Sequence, residues 1–500
     1  MSGDPLEVSG LDGPKLAKVL GLAVIISSAI SQVYGASINY ITVNSLGVYP
    51  GVEYLVPLAM FVTGLLLIPK IFLYMRFSRF MPKAGATYVW TSRSLGVGLG
   101  FIVNFVWWIG ITASMGFLAF AFVTFLAQAL IQMGVAGGAF LLTPAGHMLV
   151  GTLAIWVIFA LHYSGVGNYG TFVKIMLGFV LLAALVTIIY GFGTSPDHYL
   201  KMLSGITGKS FVYSNQFGPP SFSSFLALCT IFLFSYGGLS AAPTLSGETK
   251  DAGKNMPKGI LYAWIISVVM YTLVTWSVFH VAPWWASILL IKYKQSGLAT
   301  VPGIIGVLAP RWIGVTVSLI VALLSGKCLA PEMMSSSRFI FAWAQDKVFP
   351  EAFTRTTASK SPYMALILTA ILANLFLIES SLKGWAIGVV VRSVSVLLVL
   401  LFVSIGALNL KYNKRFAGVD WAENVARGSG IVVASVSAII ISLVLMESVI
   451  VVPKTALFFQ PVFQLVVGLI IGTGIWFWFK GKAEKLHFDI KSIERTLPVD

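Results

Sequence analysis

Apolar runs long enough to cross a bilayer recur along this chain, separated by short stretches where charge, glycine and proline gather. A bilayer's hydrocarbon core is ~30 Å thick and a helix rises ~1.5 Å per residue, so each crossing needs about 20 mostly apolar residues. Runs bounded in this way predict spans near residues 17–43, 54–75, 98–131, 147–165, 171–192, 223–245, 259–281, 311–341, 362–379, 385–410, 429–452 and 459–479. The fold class that follows is an all-α integral membrane protein of about twelve transmembrane helices. No polar stretch is left over for a separate soluble domain, which places the functional site inside the helical bundle.

Composition agrees: 57% of residues are hydrophobic and 10% charged, where a soluble domain carries roughly a quarter charged. A formal charge of +15 would suit a nucleic-acid partner, but its distribution argues for topology instead. Most Lys and Arg fall in the loops that share a side with the two termini, so both termini are expected in the cytoplasm of a cell-membrane protein, with anionic lipid headgroups against the basic loops. Residues 1–14 are polar and lack a signal-peptide pattern, so the first apolar run is expected to be retained. Cys229 and Cys328 sit in apolar runs, which argues against a disulfide framework. The histidines are scattered without ligand spacing; neither a metal site nor a cofactor is expected.

Two spans carry helix-weakening residues at membrane depth. The first holds Ser27, Ser28, Ala29, Ile30 and Ser31, followed by Gln32 and Gly35. The sixth reads Phe234, Ser235, Tyr236, Gly237, Gly238, Leu239, Ser240 and then Pro243. Close helix packing explains small residues in either span alone. Spans 1 and 6 would be corresponding positions in an inverted repeat of spans 1–5 and 6–10, and broken helices so placed point to a solute site at the bilayer midplane. Half-helix ends offer N–H groups to a carboxylate and C=O groups to an ammonium.

At these residues the sequence resembles the amino acid-polyamine-organocation superfamily of transporters, of the amino acid permease type. Pro82, Gly85, Ala86 and Tyr88, followed by Arg93, Gly96 and Gly100, resemble a segment leading into span 3. Ser235 to Leu239, continuing through Glu248, Lys250 and Pro257, resemble the sixth-span motif, and Ser337-Arg338 through Asp346 to Pro350 resemble the stretch after span 8. The chain departs from the family's glycine-rich break in span 1, where it has Ser27-Ser28-Ala29-Ile30. The resemblance implies a leucine-transporter-type fold of two inverted five-helix repeats plus two peripheral helices. Its units would be a cytoplasmic tail (1–16), a first repeat (17–192), an extracellular loop (193–222), a second repeat (223–410), helices 11 and 12 (411–479) and a cytoplasmic tail (480–500). It also implies alternating-access transport of amino acids or related small amines, by proton-linked symport or by exchange, without sodium. Substrate contacts are expected from residues 27–31 and 234–239, with Phe234 and Tyr236 occluding the ligand.

Four further residues draw attention by charge or size. Lys174, one turn into span 5, is either an interfacial anchor whose stem lies along apolar surface or, by the resemblance, the coupling cation standing where sodium sits in sodium-coupled relatives. Lys327 falls mid-span, where a charge costs at least ~2.5 kcal/mol without a cavity or partner. It is a coupling candidate, the alternative being an ion pair with Glu332 or another helix. Arg392 lies in the outer half of span 10, either as an outer gate and carboxylate ligand or reaching to the outer headgroups. Trp107, with its neighbour Trp108, is expected to pack. A membrane-embedded enzyme on lipid-linked substrates would need a clustered catalytic set, and an ion channel would need charge rings or a filter loop. The sequence displays none of these, and no phosphate-binding loop or dinucleotide fingerprint.

Overall fold

The computed structural model describes residues 16, 18–31, 34–213, 219–295, 297–384, 386–449, 456–485, 490–494 and 496–497. Among them, 10 helices are long and apolar enough to cross a membrane, and a bent pair makes up to 11. The first five are Pro50–Phe80 (span 2), Val97–Gln132 (span 3), Pro144–Tyr163 (span 4), Gly167–Gly193 (span 5) and Ala252–Val281 (span 7). Arg311–Gln345 (span 8), Tyr363–Lys383 (span 9), Ala386–Tyr412 (span 10), Gly430–Glu447 (span 11) and Pro461–Lys482 (span 12) follow. The bent pair, Phe222–Tyr236 and Gly238–Glu248, is span 6. Ahead of them all, Leu22–Ser31 and Thr42–Val48, with the π-helical turn Ser37–Ile41 before the second, occupy the place of span 1. The chain is an all-α membrane protein, because a backbone in lipid must satisfy its polar groups within the segment.

Local chemistry fixes several helix starts. The Thr143 side chain accepts the Gly146 N–H at 3.2 Å, with Pro144 in the first helical position. Ser221 caps span 6 by accepting from Ser224 N–H at 3.4 Å. In both, a side-chain oxygen meets an N–H that has no carbonyl one turn earlier, and in span 4 Pro144 occupies a position whose own N–H is dispensable.

Span 3 is the hub, packing against spans 4, 8, 9, 10 and 12. Its glycines permit the approach: a Cβ on Gly116 would stand 2.3 Å from the Phe376 carbonyl carbon of span 9, and one on Gly110 would stand 2.0 Å from Ser395 Oγ of span 10. Dispersion between closely packed backbones takes over where no hydrophobic driving force separates helix from lipid. Spans 4 and 12 lie outside, with Leu149, Leu153, Ile470 and Trp478 exposed, as apolar side chains are when lipid is the solvent.

The structure corrects one boundary with a consequence. The hydrophobic pattern ends span 2 at 75 and leaves Lys70 in the basic set beside the cytoplasmic loop. The helix Ile68–Phe80 carries span 2 onward, and Lys70 is 1% exposed inside the bundle.

Candidate functional site

Spans 1 and 6 pack against each other, and both are interrupted. In span 6 the α-helix Phe222–Phe232 tightens into the 3₁₀ turn Leu233–Tyr236, and the axis bends by 53° at Gly237 before Gly238–Glu248. The side chains around the bend diverge. The Phe234 ring meets Phe117 of span 3 edge-on at 5.5 Å, whereas Tyr236 turns toward span 2 and donates to the Met60 carbonyl at 3.1 Å. Gly237 faces span 10: a Cβ there would lie 3.4 Å from Arg392 Nη2.

Span 1 departs from the expected position of its break. Residues 27–31 form the last turns of the helix Leu22–Ser31, and the interruption follows, around the turn at Tyr34-Gly35. Serine hydroxyls and alanine sustain a helix where the glycines of the family pattern would not. Ser27, Ser28, Ala29 and Ile30 are buried; the Ser31 side chain, Gln32 and Val33 lie outside the described residues. The packed turn at Gly35 is tight: a Cβ there would meet Cys328 Sγ and the Leu324 carbonyl of span 8, each at 2.7 Å.

Beside the span 6 bend lies a set of buried charges. Arg392 Nη2 donates to Glu332 of span 8 at 3.1 Å from Oε1 and 3.4 Å from Oε2. Its guanidinium lies 3.9 Å above the Trp107 ring of span 3, and its side chain is 1% exposed. Lys70 donates to Ser240 Oγ at 2.5 Å and stands 5.3 Å above the Tyr74 ring. Lys327 is also buried, where the helix Arg311–Lys327 gives way to Leu329–Gln345. Arg392 is thus held inside the bundle by Glu332.

Hydrogen bonds and an ion pair tie the end of the bundle that carries the ends of spans 6 and 8. Val19 and Leu20 N–H both donate to the Glu248 carbonyl, at 3.0 and 2.9 Å, and Lys250 N–H donates to the Leu20 carbonyl at 2.8 Å. The Glu248 side chain accepts from Arg338, both residues being 1% exposed.

A family model for amino acid permeases matches residues 24–487. The chain belongs to the amino acid permease family.

This permease is 24% identical to the branched-chain amino acid permease BcaP of Lactococcus lactis, over 81% of its own length and 82% of that protein's. It is 25% identical to the methylthioribose transporter of Bacillus subtilis, over 71% and 72% of the two chains. A shorter match, 26% identical over 54% of this chain and 46% of the other, is to the dicarboxylic amino acid permease of Saccharomyces cerevisiae. Family and relatives are transporters, which favours that class over a lipid-modifying enzyme.

Within the permease, the short segments that carry the family resemblance meet one another in space. Arg93 forms an ion pair with Asp346, and Tyr88 donates to the same carboxylate at 2.6 Å. The loop before them needs its glycine: Gly85 has φ +79° and faces Ala342 so closely that a Cβ would stand 2.5 Å from the alanine's own. The segment before span 3 thus docks on the one after span 8, and the end of span 6 docks on Arg338.

On span 5 Lys174 and Tyr169 lie in different surroundings. Lys174 is exposed on the outer face of the helix. Tyr169 meets span 1 through a hydrogen bond between its hydroxyl and that of Ser28. On neighbouring span 4, a His162 ring nitrogen lies 2.7 Å from the Ala330 carbonyl of span 8. Neither Tyr169 nor Lys70 stands out in the sequence. Lys70 does carry a signal, apolar residues on both sides of it with Tyr74 one helical turn on, but only continuation of the helix past it makes that signal readable.

Proposed function

We propose that this permease is a secondary active carrier of amino acids or related small amines, multi-pass in the cell membrane with both termini cytoplasmic. The solute binds where the bend of span 6 at residues 234–240 faces the interrupted span 1. The observation that carries this reading is the 53° bend at Gly237, set among the buried groups Lys70, Ser240, Glu332 and Arg392. Irregular backbone and ionisable side chains at membrane depth are tolerated where they serve a solute or ion path. The amino acid permease relatives favour an amino acid as the cargo.

Substrate contacts on this reading come from Ser27, Ser28, Ala29 and Ile30 at the end of the first half-helix, and from the turn Phe234–Leu239. Phe234, wedged against Phe117, closes the span 3 side of the site. Spans 1, 6 and 8 shut one end through Glu248 and Arg338, so the arrangement is that of a carrier closed at that end, and opening requires this ion pair to part. Coupling is to protons or to a counter-solute and does not use sodium. Lys327 and Glu332, buried on span 8, are the groups that support it.

Uptake by purified protein in liposomes tests the reading. Labelled amino acids are expected to accumulate under an inward proton gradient, or to exchange against internal amino acid, in sodium-free buffer. Absence of saturable uptake across the twenty amino acids and their amines, from protein that is folded and inserted, would refute it. Conductance far above about 10³ per second would point to a channel instead, since carriers wait on slow conformational steps.

A further inference from the structure

The chain beyond span 12 returns to the end of the bundle that carries the ends of spans 6 and 8. Span 12 already reaches over this end, where the Phe479 ring stacks at 6.3 Å on Phe349 of the stretch after span 8. Beyond it the short helix Ile490–Ile493 packs against span 3. Ile493 is buried, and Ile490 and Leu497 also lie against the core. Two polar contacts fix the docking. The Thr496 carbonyl accepts from Arg93 Nε at 3.1 Å, and the Glu494 carboxylate pairs at 3.4 Å with Arg415, which follows span 10. Glu494 also stands over the turn into span 3, since a Cβ on Gly96 would lie 3.3 Å from its Oε1. Arg93 is the shared element. Its other donors hold Asp346 after span 8, so Thr496 supplies the acceptor for Nε, and a buried guanidinium N–H without one is costly. The helix Thr87–Leu95 that carries Arg93 follows a turn wedged between two spans. Gly85 of that turn faces Ala342 of span 8, and Ala84 Cβ lies 3.0 Å from where a Cβ on Gly247 of span 6 would stand.

We propose that residues 490–497 form an autoinhibitory strap: docked, they brace the wedge between spans 6 and 8 and hold this end closed, and undocked, they let it open sooner. The inference rests on the carrier reading and concerns how the cycle is regulated. The contacts suit a strap that comes and goes. Arg415 and Glu494 are 38% and 23% exposed, and an ion pair open to solvent contributes little to stability. The rest of the hold is three apolar side chains and one backbone carbonyl. A segment held so lightly at the periphery can detach while the spans stay folded, because local opening costs far less than unfolding the core. Detachment leaves the pair of Arg93 with Asp346 intact. It withdraws the acceptor from Arg93 Nε and the cover from Gly96, and so loosens the wedge without dismantling it.

The full-length protein provides the test, with Cys328 as reporter in a Cys229→Ala background, because Cys328 is buried against Gly35. Ile493→Lys replaces a buried apolar anchor with a charge, and Glu494→Lys turns the pair with Arg415 into a repulsion. Labelling of Cys328 by a permeant maleimide is expected to be about threefold faster or more in each variant. Ile493→Leu, which keeps the anchor, should label at the rate of the unmodified chain. In liposomes, initial uptake of labelled amino acids by the two lysine variants is expected to equal or exceed that of the unmodified chain. If Ile493→Lys loses its cooperative thermal transition, Glu494→Lys is read alone, since that side chain is partly exposed and lies outside the core. Unchanged labelling in the lysine variants overturns the strap. Reduced uptake by folded, inserted variants also overturns it, because the segment would then be required for transport. Faster labelling in variants of a protein that takes up no amino acid or amine, the unmodified chain included, removes the carrier reading and leaves the strap.

Discussion

Arg338 holds Glu248 through two hydrogen bonds, Nη2 to Oε1 at 2.5 Å and Nε to Oε2 at 3.2 Å, across 90 positions of sequence. The same Glu248 receives the start of span 1 on its backbone carbonyl, so one residue ties three spans at one end of the pathway. A bidentate guanidinium–carboxylate contact shielded from water is strong while intact. Losing one partner strands the other charge, at a cost of about 3–5 kcal/mol.

Glu248→Gln is therefore expected to loosen this closure. In a Cys229→Ala background, Cys328 becomes the reporter: it is fully buried against Gly35 behind the closed end. Labelling by a permeant maleimide should speed up several-fold in Glu248→Gln. An unchanged labelling rate would show that the ion pair is not what keeps this end shut.

Asp346 holds two partners, Arg93 and the Tyr88 hydroxyl. Asp346→Asn is expected to destabilise the protein by about 3–5 kcal/mol, because Arg93 is left buried without its counter-charge. Tyr88→Phe, which deletes one neutral donor to a carboxylate, should cost about 1.5–3 kcal/mol. Denaturant titration in detergent, following tryptophan fluorescence, measures both.

Gly85→Ala meets two obstacles, a left-handed backbone with φ +79° and a Cβ contact of 2.5 Å to Ala342. The expected loss exceeds about 2 kcal/mol. Ala342→Gly in the same chain should recover the part due to the contact and leave the part due to the backbone. Full recovery would assign the whole effect to crowding.

Span 5 offers a contrast between two residues five positions apart. Tyr169→Phe removes the hydroxyl that meets Ser28 on the first half-helix, and initial uptake rates are expected to fall at least about threefold, a loss of order one hydrogen bond. Lys174→Ala, on the exposed face, should leave uptake within about twofold. The opposite order would return the coupling role to Lys174.

Much of the fold was legible from hydropathy, because each span satisfies its own backbone and must be apolar along its length. Gly237 was legible as a weak point for the same local reason, since a Gly pair followed by Pro243 undermines a helix. Ser27 to Ser31 read as helix-weakening, yet they are helical in the folded protein, and the turn lies several residues on, at Tyr34-Gly35. Lys70 reads as an interfacial lysine because it lies near the end of an apolar run, and only the continuation of the helix to Phe80 and the packing around it bury the side chain.

The sequence by itself determined the membrane-crossing helices, the weak point in span 6 and the family-like segments near the ends of spans 2, 6 and 8, since each is written in consecutive residues. Tertiary structure alone decided which charges meet. Arg93 and Asp346 are 253 positions apart, Lys70 and Ser240 are 170 apart, and Arg392 and Glu332 are 60 apart. Helical periodicity orders neighbours along one helix, but Coulomb and hydrogen-bond energies act over a few ångströms of space, and only the packing of spans 2, 3, 6, 8 and 10 around the bend brings those groups within reach.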